Sequence, residues 1–193
     1  LITKKSNWKT IELKDIDKKI VNKEELNLWF YNSYDTWKAE RKAYKTDFTN
    51  LKHAFIVWTT RKWKDVLMLN FNINILKNIL NHDNSILHFF DTKGSDWAYL
   101  DWLRSYWVYR HTNINKFDDL LNWIQKEVDI RQSQLKTSSN IRKYNEKNPD
   151  KKMKDLFVVI NEFLDISTHS DSKKIFLKLI SLLSKWASVG LHI

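Results

Sequence analysis

The stretch LFVVINE (156–162) contains the clearest buried strand of the sequence, because five consecutive apolar residues precede a polar pair. Further short apolar runs predict strands at 26–31, 54–57, 86–90, 106–109 and 191–193. Helical spacing of apolar residues predicts helices at 64–80, 115–135 and 172–188. Strands alternating with helices predict an α/β domain with a mostly parallel sheet flanked by helices. The polar stretches 32–50 and 138–154 are predicted to be loops.

The composition is that of a globular protein with a basic surface. Of 193 residues, 42% are hydrophobic and 29% are charged, and no cysteine is present to form a disulfide or a thiolate metal site. The net charge of +10 favours a polyanionic partner, nucleic acid first, although a Lys- and Asn-rich composition also produces a solvated basic surface. No apolar run approaches the roughly 20 residues of a membrane span. We interpret the sequence as a fragment of a longer protein.

The strand at 54–57 runs into WTTRKWKD (58–65) and then into a helix. A phosphate-binding loop has the pattern G-x-x-x-x-G-K-[ST] in the same strand–loop–helix setting. Lys64 takes the place of the loop lysine, whereas Trp58 and Trp63 occupy both glycine positions and Asp65 occupies the hydroxyl position. Taken alone, the pattern fails the phosphate-loop match and is more typical of a basic aromatic turn before a helix.

The polar pair after the strand at 156–160 has the form of a Walker B motif. Asn161 stands where the Mg²⁺-associated aspartate would be, and Glu162 stands where a carboxylate orients the attacking water. In isolation, Glu162 is also typical of an exposed acid that follows a strand. Ligands of parallel sheets bind beyond the carboxyl ends of the strands, where both motifs are predicted to lie.

Five stretches occur in the order VWTTRKWK (57–64), FDTKG (90–94), RKYNE (142–146), FVVINEF (157–163) and GLHI (190–193). In that order they resemble the G-T-T-x-x-G-K, D-P-K-G, R-x-Y-N-E, V-V-V-I-D-E-F and G-I-H-L segments of the motor domain of FtsK/SpoIIIE-type DNA translocases. The resemblance implies a RecA-like P-loop ATPase core over 51–193, truncated at its C-terminal end. Residues 1–50 would form a strand and loop that lead into it.

The resemblance also implies a site, cofactors and partners. Lys64 and Glu162 would be catalytic, and Asp65 and Asn161 would attend Mg²⁺. ATP would be held by Trp58, Thr59, Thr60, Arg61, Lys62, Trp63, Lys64 and Asp65, with Asp91 and Lys93 beside the site. The partners would be double-stranded DNA and further copies of the chain in a ring, a hexamer by family resemblance. The location would be cytoplasmic, with any membrane tether outside this sequence.

Three positions depart from the family pattern. Asp65 replaces the Ser or Thr that ligates Mg²⁺, Asn161 replaces the Walker B aspartate, and Ala187 replaces an arginine before the GLHI segment. Either Asp65 compensates at the metal or the motor has decayed. The alternatives are therefore a conjugative or phage DNA-transfer ATPase of the same superfamily, a non-catalytic basic DNA-binding protein on a decayed P-loop fold, and an aromatic single-strand binder.

Ten tryptophans and two glycines invert the usual composition. Trp58, Trp63 and Trp186 fall on family glycine positions, and Trp29 and Trp37 fall where the family often has glycine. We hypothesise that such residues are UGA codons that the native host reads as glycine. Trp97 and Trp102 are compatible with genuine aromatics, and Trp123 lies inside a predicted helix, where glycine is costly. The rival interpretation is a protein with true tryptophans whose loop no longer binds nucleotide.

Overall fold

The computed structural model describes residues 25–35, 38–47, 53–55, 61–82, 84–94, 97–185 and 188–193. The strands are β1 (Glu25–Asp35), β2 (Lys38–Asp47), β3 (Ser85–Phe90), β4 (Val108–His111), β5 (Asp155–Ile160) and β6 (Leu191–His192). The α-helices are α1 (Arg61–His82), α2 (Phe117–Gln134), α3 (Ile141–Lys147), α4 (Phe163–Ser167) and α5 (Ser172–Lys185). Short 3₁₀ helices occupy Ala98–Tyr106, Ile114–Lys116 and Pro149–Lys151. No described helix is both long and apolar enough to cross a bilayer.

The main sheet is parallel and has the strand order β4-β3-β5-β6. Leu87 of β3 pairs with Val108 of β4 on one side and with Phe157 of β5 on the other. The predicted α/β class, with a parallel sheet flanked by helices, is confirmed. The strands predicted at 86–90 and 156–160 and the helices at 64–80 and 115–135 correspond to β3, β5, α1 and α2.

Helices cover both faces of the sheet because both faces of its central strands are apolar. Leu87, Phe89, Phe157 and Val159 pack with α1 and the 3₁₀ helix at 98–106. Phe90, Leu156 and Val158 face the opposite way and pack with α2 and α5. Alternate side chains of a strand point to opposite faces, so a continuous apolar run is what a sheet covered on both sides requires.

Two predicted loops are wrong. Within 32–50, residues 38–47 form β2, which pairs antiparallel with β1 through Phe30 opposite Ala43 and Tyr31 opposite Lys42. Such a ribbon is defined by backbone pairing rather than by an apolar run, so the sequence KAERKAYKTD gave no strand signal. Within 138–154, α3 forms because the Asn140 side chain accepts a hydrogen bond from the backbone N–H of Lys143 at 3.0 Å and caps the helix.

The predicted buried strand at 54–57 is also wrong where the structure describes it. Residues 53–55 have no regular secondary structure, and Ala54 and Phe55 are exposed. The Ala54 N–H donates to the Ile193 carbonyl at 3.1 Å, so the segment runs past the end of β6. β6 is two residues long and offers little edge for a longer ladder. Residues 56 and 57 lie outside the described residues.

One glycine and one arginine close the amino edge of the sheet. Gly190 has φ +69°, and a Cβ there would lie 2.6 Å from Oδ1 of Asp155, so no other residue fits without movement. Arg131 of α2 is buried and donates to the carbonyls of Lys154 at 2.8 Å and Val189 at 3.0 Å. The guanidinium therefore ties the starts of β5 and β6 to α2.

A histidine pair, His88 of β3 and the half-buried His111 of β4, lies on one face of the sheet. His88 Nδ1 and His111 Nε2 are 3.0 Å apart, and the rings of Tyr109 and Trp123 pack against His88 at 5.1 and 4.8 Å. Burial, and secondarily His111, lowers the pKa of His88 to about 3. Burial, and then Arg104, also lowers the pKa of His111. Both imidazoles are therefore neutral in the folded protein at neutral pH.

We expect acid to destabilise the fold through this pair. In the unfolded chain, His88 takes up a proton below pH 6.5. In the folded chain, its imidazole stays neutral down to a pKa of about 3, so the free energy of unfolding decreases as the pH is lowered from 6.5 to about 3. The full loss is about 5 kcal/mol. Denaturant titrations across the window measure it. The pH dependence should flatten in His88→Phe and persist in His169→Gln; an unchanged slope in His88→Phe contradicts the prediction.

Candidate functional site

The carboxyl ends of β3 and β5 lie side by side in the sheet. The Asn161 N–H donates to the Phe90 carbonyl at 2.9 Å, which places Asp91 and Asn161 at neighbouring strand ends. The chain leaves β3 on the face of α1 and leaves β5 on the face of α2 and α5. Loops that diverge to opposite faces open a crevice between two strands, and ligands of α/β sheets bind at such a point.

Two contacts join the segments that follow β3 and β5. Lys93 Nζ lies 2.9 Å from Glu162 Oε2, with the lysine side chain half exposed and the glutamate mostly covered. The Thr92 hydroxyl donates to the Asp165 carboxylate in the first turn of α4. The predicted site residues Lys93 and Glu162 are therefore brought together, and the lysine fixes where the carboxylate points.

Asp91 is completely buried at the carboxyl end of β3, where it binds Arg110. Its Oδ2 accepts from Arg110 Nε at 3.3 Å and Nη2 at 3.4 Å. Arg110 also donates to Asp101 at 2.7 Å and to the carbonyl of Gly94, whose φ of +73° closes the turn after β3. Asp91 was predicted to lie beside the nucleotide, and the structure places it at the base of the turn that carries Lys93.

Arg110, Thr92 and Asp165 were missed by the sequence analysis. Arg110 is the third of the four residues of the neighbouring strand β4, so a polar residue directly after the apolar run at 106–109 was the available signal. Thr92 lies inside the quoted FDTKG stretch but carried no assigned role. Asp165 gave no signal, since an acid in a first helical turn is a common stabilising feature.

The predicted phosphate loop is described in part. Trp58, Thr59 and Thr60 lie outside the described residues. Arg61, Lys62, Trp63, Lys64 and Asp65 form the first turn of α1, so this helix starts before the predicted position 64. Phe55, just ahead of the loop, packs edge-on against Phe163, with ring centroids 5.6 Å apart. Phe163 follows Glu162 directly, so the chain approaches the loop beside the carboxyl end of β5.

The two predicted metal ligands, Asp65 and Asn161, lie on different elements of the fold. Asn161 is buried at the end of β5, and Asp65 lies in α1. The side chains of Asn161 and Glu162 carry oxygen atoms at this edge. Oxygen is the ligand atom that Mg²⁺ prefers when it binds together with phosphate. Over the described residues, no group of three or more His, Asp or Glu side chains converges as a metal site by itself. Any Mg²⁺ at Asn161 and Glu162 would therefore need phosphate oxygens as further ligands.

A cavity of about 660 Å³ opens beside Glu162. Its walls come from α1, α5 and the ends of β5 and β6, with Phe55, Phe71, Phe163 and Phe176 among the lining residues. The volume lies within the range of small-molecule sites, and the walls are mostly apolar.

Three of the tryptophans whose side chains the structure describes lie in different environments. Trp97 is buried and packs on Phe89, with ring centroids 4.9 Å apart, as a core aromatic does. Trp107 has φ +67° and is the one non-glycine residue of the described chain with positive φ. It caps the 3₁₀ helix at 98–106 in a left-handed conformation, the position where glycine is favoured. Trp102 is 88% exposed.

No protein-family model and no curated protein matches the chain. Among solved structures, it is similar to the conjugation coupling protein TcpA of pCW3, in its monomer form with ATPγS. The TM-score is 0.63 at 19% sequence identity, over 95% of this chain and 50% of that one. The chain thus spans about half the length of that protein. The likeness and the parallel sheet confirm the predicted P-loop NTPase-like fold class.

Proposed function

We propose that the chain is the motor core of a DNA-transfer ATPase of the FtsK/SpoIIIE superfamily, which binds ATP with Mg²⁺ and moves double-stranded DNA. The observation that carries the proposal is the Lys93–Glu162 pair at the crevice between β3 and β5. Glu162 lies close to the chain that leads into the loop at 58–65. A carboxylate at this position can orient the attacking water in ATP hydrolysis. The TcpA likeness favours a conjugative transfer ATPase over a chromosome translocase.

Each residue of the site has a proposed role. Lys64 would neutralise charge on the β- and γ-phosphates, and Glu162 would orient the attacking water. Asn161 and Asp65 would hold Mg²⁺, which neutralises phosphate charge when bound. Lys93 would position Glu162, while Arg110 and Asp91 would hold the turn that carries Lys93. Phosphoryl transfer needs positioning and charge stabilisation, which these groups supply without covalent chemistry.

We further propose that positions 58 and 63 are glycines in the native host. A phosphate loop works because bare backbone N–H groups approach the anion, and an indole at either position would fill that space. Trp107 supports the hypothesis independently, since its backbone already has the conformation that glycine prefers. By family resemblance, ATP would bind between neighbouring copies in a ring, a hexamer.

The proposed chemistry is tested by Glu162→Gln in the chain that carries glycine at 58 and 63. We expect ATP turnover to fall at least about 100-fold, because the amide cannot orient and deprotonate water as the carboxylate does. ATP affinity should change little. Phosphate release and nucleotide binding are measured side by side.

Asp119→Asn serves as the matched control, because it makes the same chemical change on the exposed side of α2. Turnover that survives Glu162→Gln would remove Glu162 from the mechanism. Loss of ATP binding in both variants would instead favour the non-catalytic DNA-binding protein.

A further inference from the structure

We propose that the segment 136–154, named here the basic segment, is the surface that grips the phosphates of duplex DNA. It contains seven Lys and Arg residues against two acidic residues. Five of these lysines are exposed: Lys136, Lys143, Lys147, Lys151 and Lys152. The proposal rests on the proposed function and names the surface that its DNA partner contacts.

The five exposed lysines of the basic segment are not neutralised by carboxylates of the described residues. In the described part of the chain, no carboxylate lies within ion-pair distance of these five lysines, and Lys147 makes one long bond of 3.5 Å to the Thr137 carbonyl. Three lysines elsewhere are paired: Asp118 binds Lys174 and Lys178, and Glu162 binds Lys93. Unpaired cations are those free to displace counterions from DNA, which supplies most of the sequence-independent affinity.

The basic segment has a fixed shape rather than that of a solvated tail. The Asn145 side chain donates to the Met153 carbonyl at 2.9 Å and accepts from the Met153 N–H at 2.7 Å, which closes the turn after α3. The Ile141 N–H donates to the Ser188 carbonyl at 2.8 Å and fastens α3 to the chain before β6. A surface already ordered loses less conformational entropy when it binds.

The basic segment lies at the amino edge of the sheet, opposite the crevice. It ends where β5 begins, and its last lysine, Lys154, places Nζ 4.2 Å from the centre of the Trp107 ring ahead of β4. The Lys93–Glu162 pair lies at the other ends of the same strands. DNA on the basic segment would therefore leave the nucleotide site unobstructed, as a motor that handles both ligands at once requires.

The test measures binding of a labelled duplex of about 30 base pairs by fluorescence anisotropy at several salt concentrations. The variant replaces Lys143, Lys151 and Lys152 by Gln; the control, with the same change in net charge, replaces the exposed Lys116, Lys126 and Lys173 by Gln. We expect at least about a tenfold loss of affinity in the variant, and a salt dependence reduced by roughly two to three released ions. The control should lose much less.

Equal losses in the two triple variants would overturn the proposal, because net charge alone would then explain binding. Preference for vesicles with anionic lipid over the duplex would overturn it as well. Circular dichroism and thermal unfolding verify that both variants are folded. ATP binding by the glycine-restored chain is assayed in parallel: if it fails while the basic segment still governs DNA affinity, the motor proposal falls and the surface stands.

Discussion

ATP should bind at least about 100-fold more tightly to the chain with glycine at positions 58 and 63 than to the chain with tryptophan there, a difference of about 2.7 kcal/mol or more. Two indoles in a phosphate loop cover the backbone N–H groups that would otherwise donate to the anion. Rings at both glycine positions of such a loop would also take up the space of the phosphates. Isothermal titration of ATP with Mg²⁺ into both chains measures the difference.

The control chain carries Trp102→Gly and Trp107→Gly, so that it gains two glycines away from the loop. It should bind ATP no better than the chain with ten tryptophans. Lys64→Ala in the glycine-restored chain should abolish the gained affinity, which locates the nucleotide at the loop. Equal ATP affinity in all these chains would contradict the loop hypothesis, and UGG codons at 58 and 63 would refute the decoding hypothesis by themselves.

Replacing Trp97 and Trp107 by glycine should change stability in different ways. Trp97→Gly removes a buried indole from beside Phe89 and should lower the free energy of unfolding by about 3–5 kcal/mol. Trp107→Gly removes the strain of a non-glycine residue in the left-handed conformation, which should raise the free energy of unfolding by about 1–2 kcal/mol. It also removes the half-exposed contact of the indole with Lys154, which should lower it by about 0.5–1 kcal/mol. Stability should therefore be unchanged or higher at 107. Denaturant unfolding of both variants measures this.

Alanine at the same two positions separates the backbone effect from the loss of the ring. At 107, glycine should be more stable than alanine by about 1 kcal/mol, since alanine keeps the left-handed strain and lacks the ring. At 97, where φ is −120°, alanine should be at least as stable as glycine. A Trp107→Ala variant more stable than Trp107→Gly would show that position 107 has no glycine preference, and would weaken the decoding hypothesis.

The sequence was sufficient for the sheet where burial decides the structure. β3 and β5 are covered on both faces, so their residues form continuous apolar runs that can be recognised without tertiary information. β2 and α3 were missed for the opposite reason. Backbone pairing with β1 and the Asn140 cap specify them, and neither leaves an apolar pattern. At 54–57 the apolar run suggested a buried strand, yet Ala54 and Phe55 are exposed where the structure describes them.

The sequence was sufficient to predict which residues of the site follow strands, but not which of them contact each other. The positions of Glu162 and Lys93 after strands indicated that both lie at one edge of the sheet, whereas their 2.9 Å contact depends on β3 and β5 being neighbours. The role of Arg110 depends on β4 flanking β3 on the other side. Strand order is a long-range property, and side chains that meet across it cannot be paired from sequence spacing alone.

The strand order also sets a sequence of events during synthesis. β4 emerges from the ribosome soon after β3 and can pair with it, but the other neighbour of β3 is β5, which is complete only at Ile160. At about 5–20 residues per second, the intervening chain takes roughly 2–10 s to be made. Through that interval one edge of an almost wholly apolar strand is unpaired, and such an edge is a template for association with other chains. The nascent protein is therefore open to aggregation at this edge between the completion of β4 and the arrival of β5.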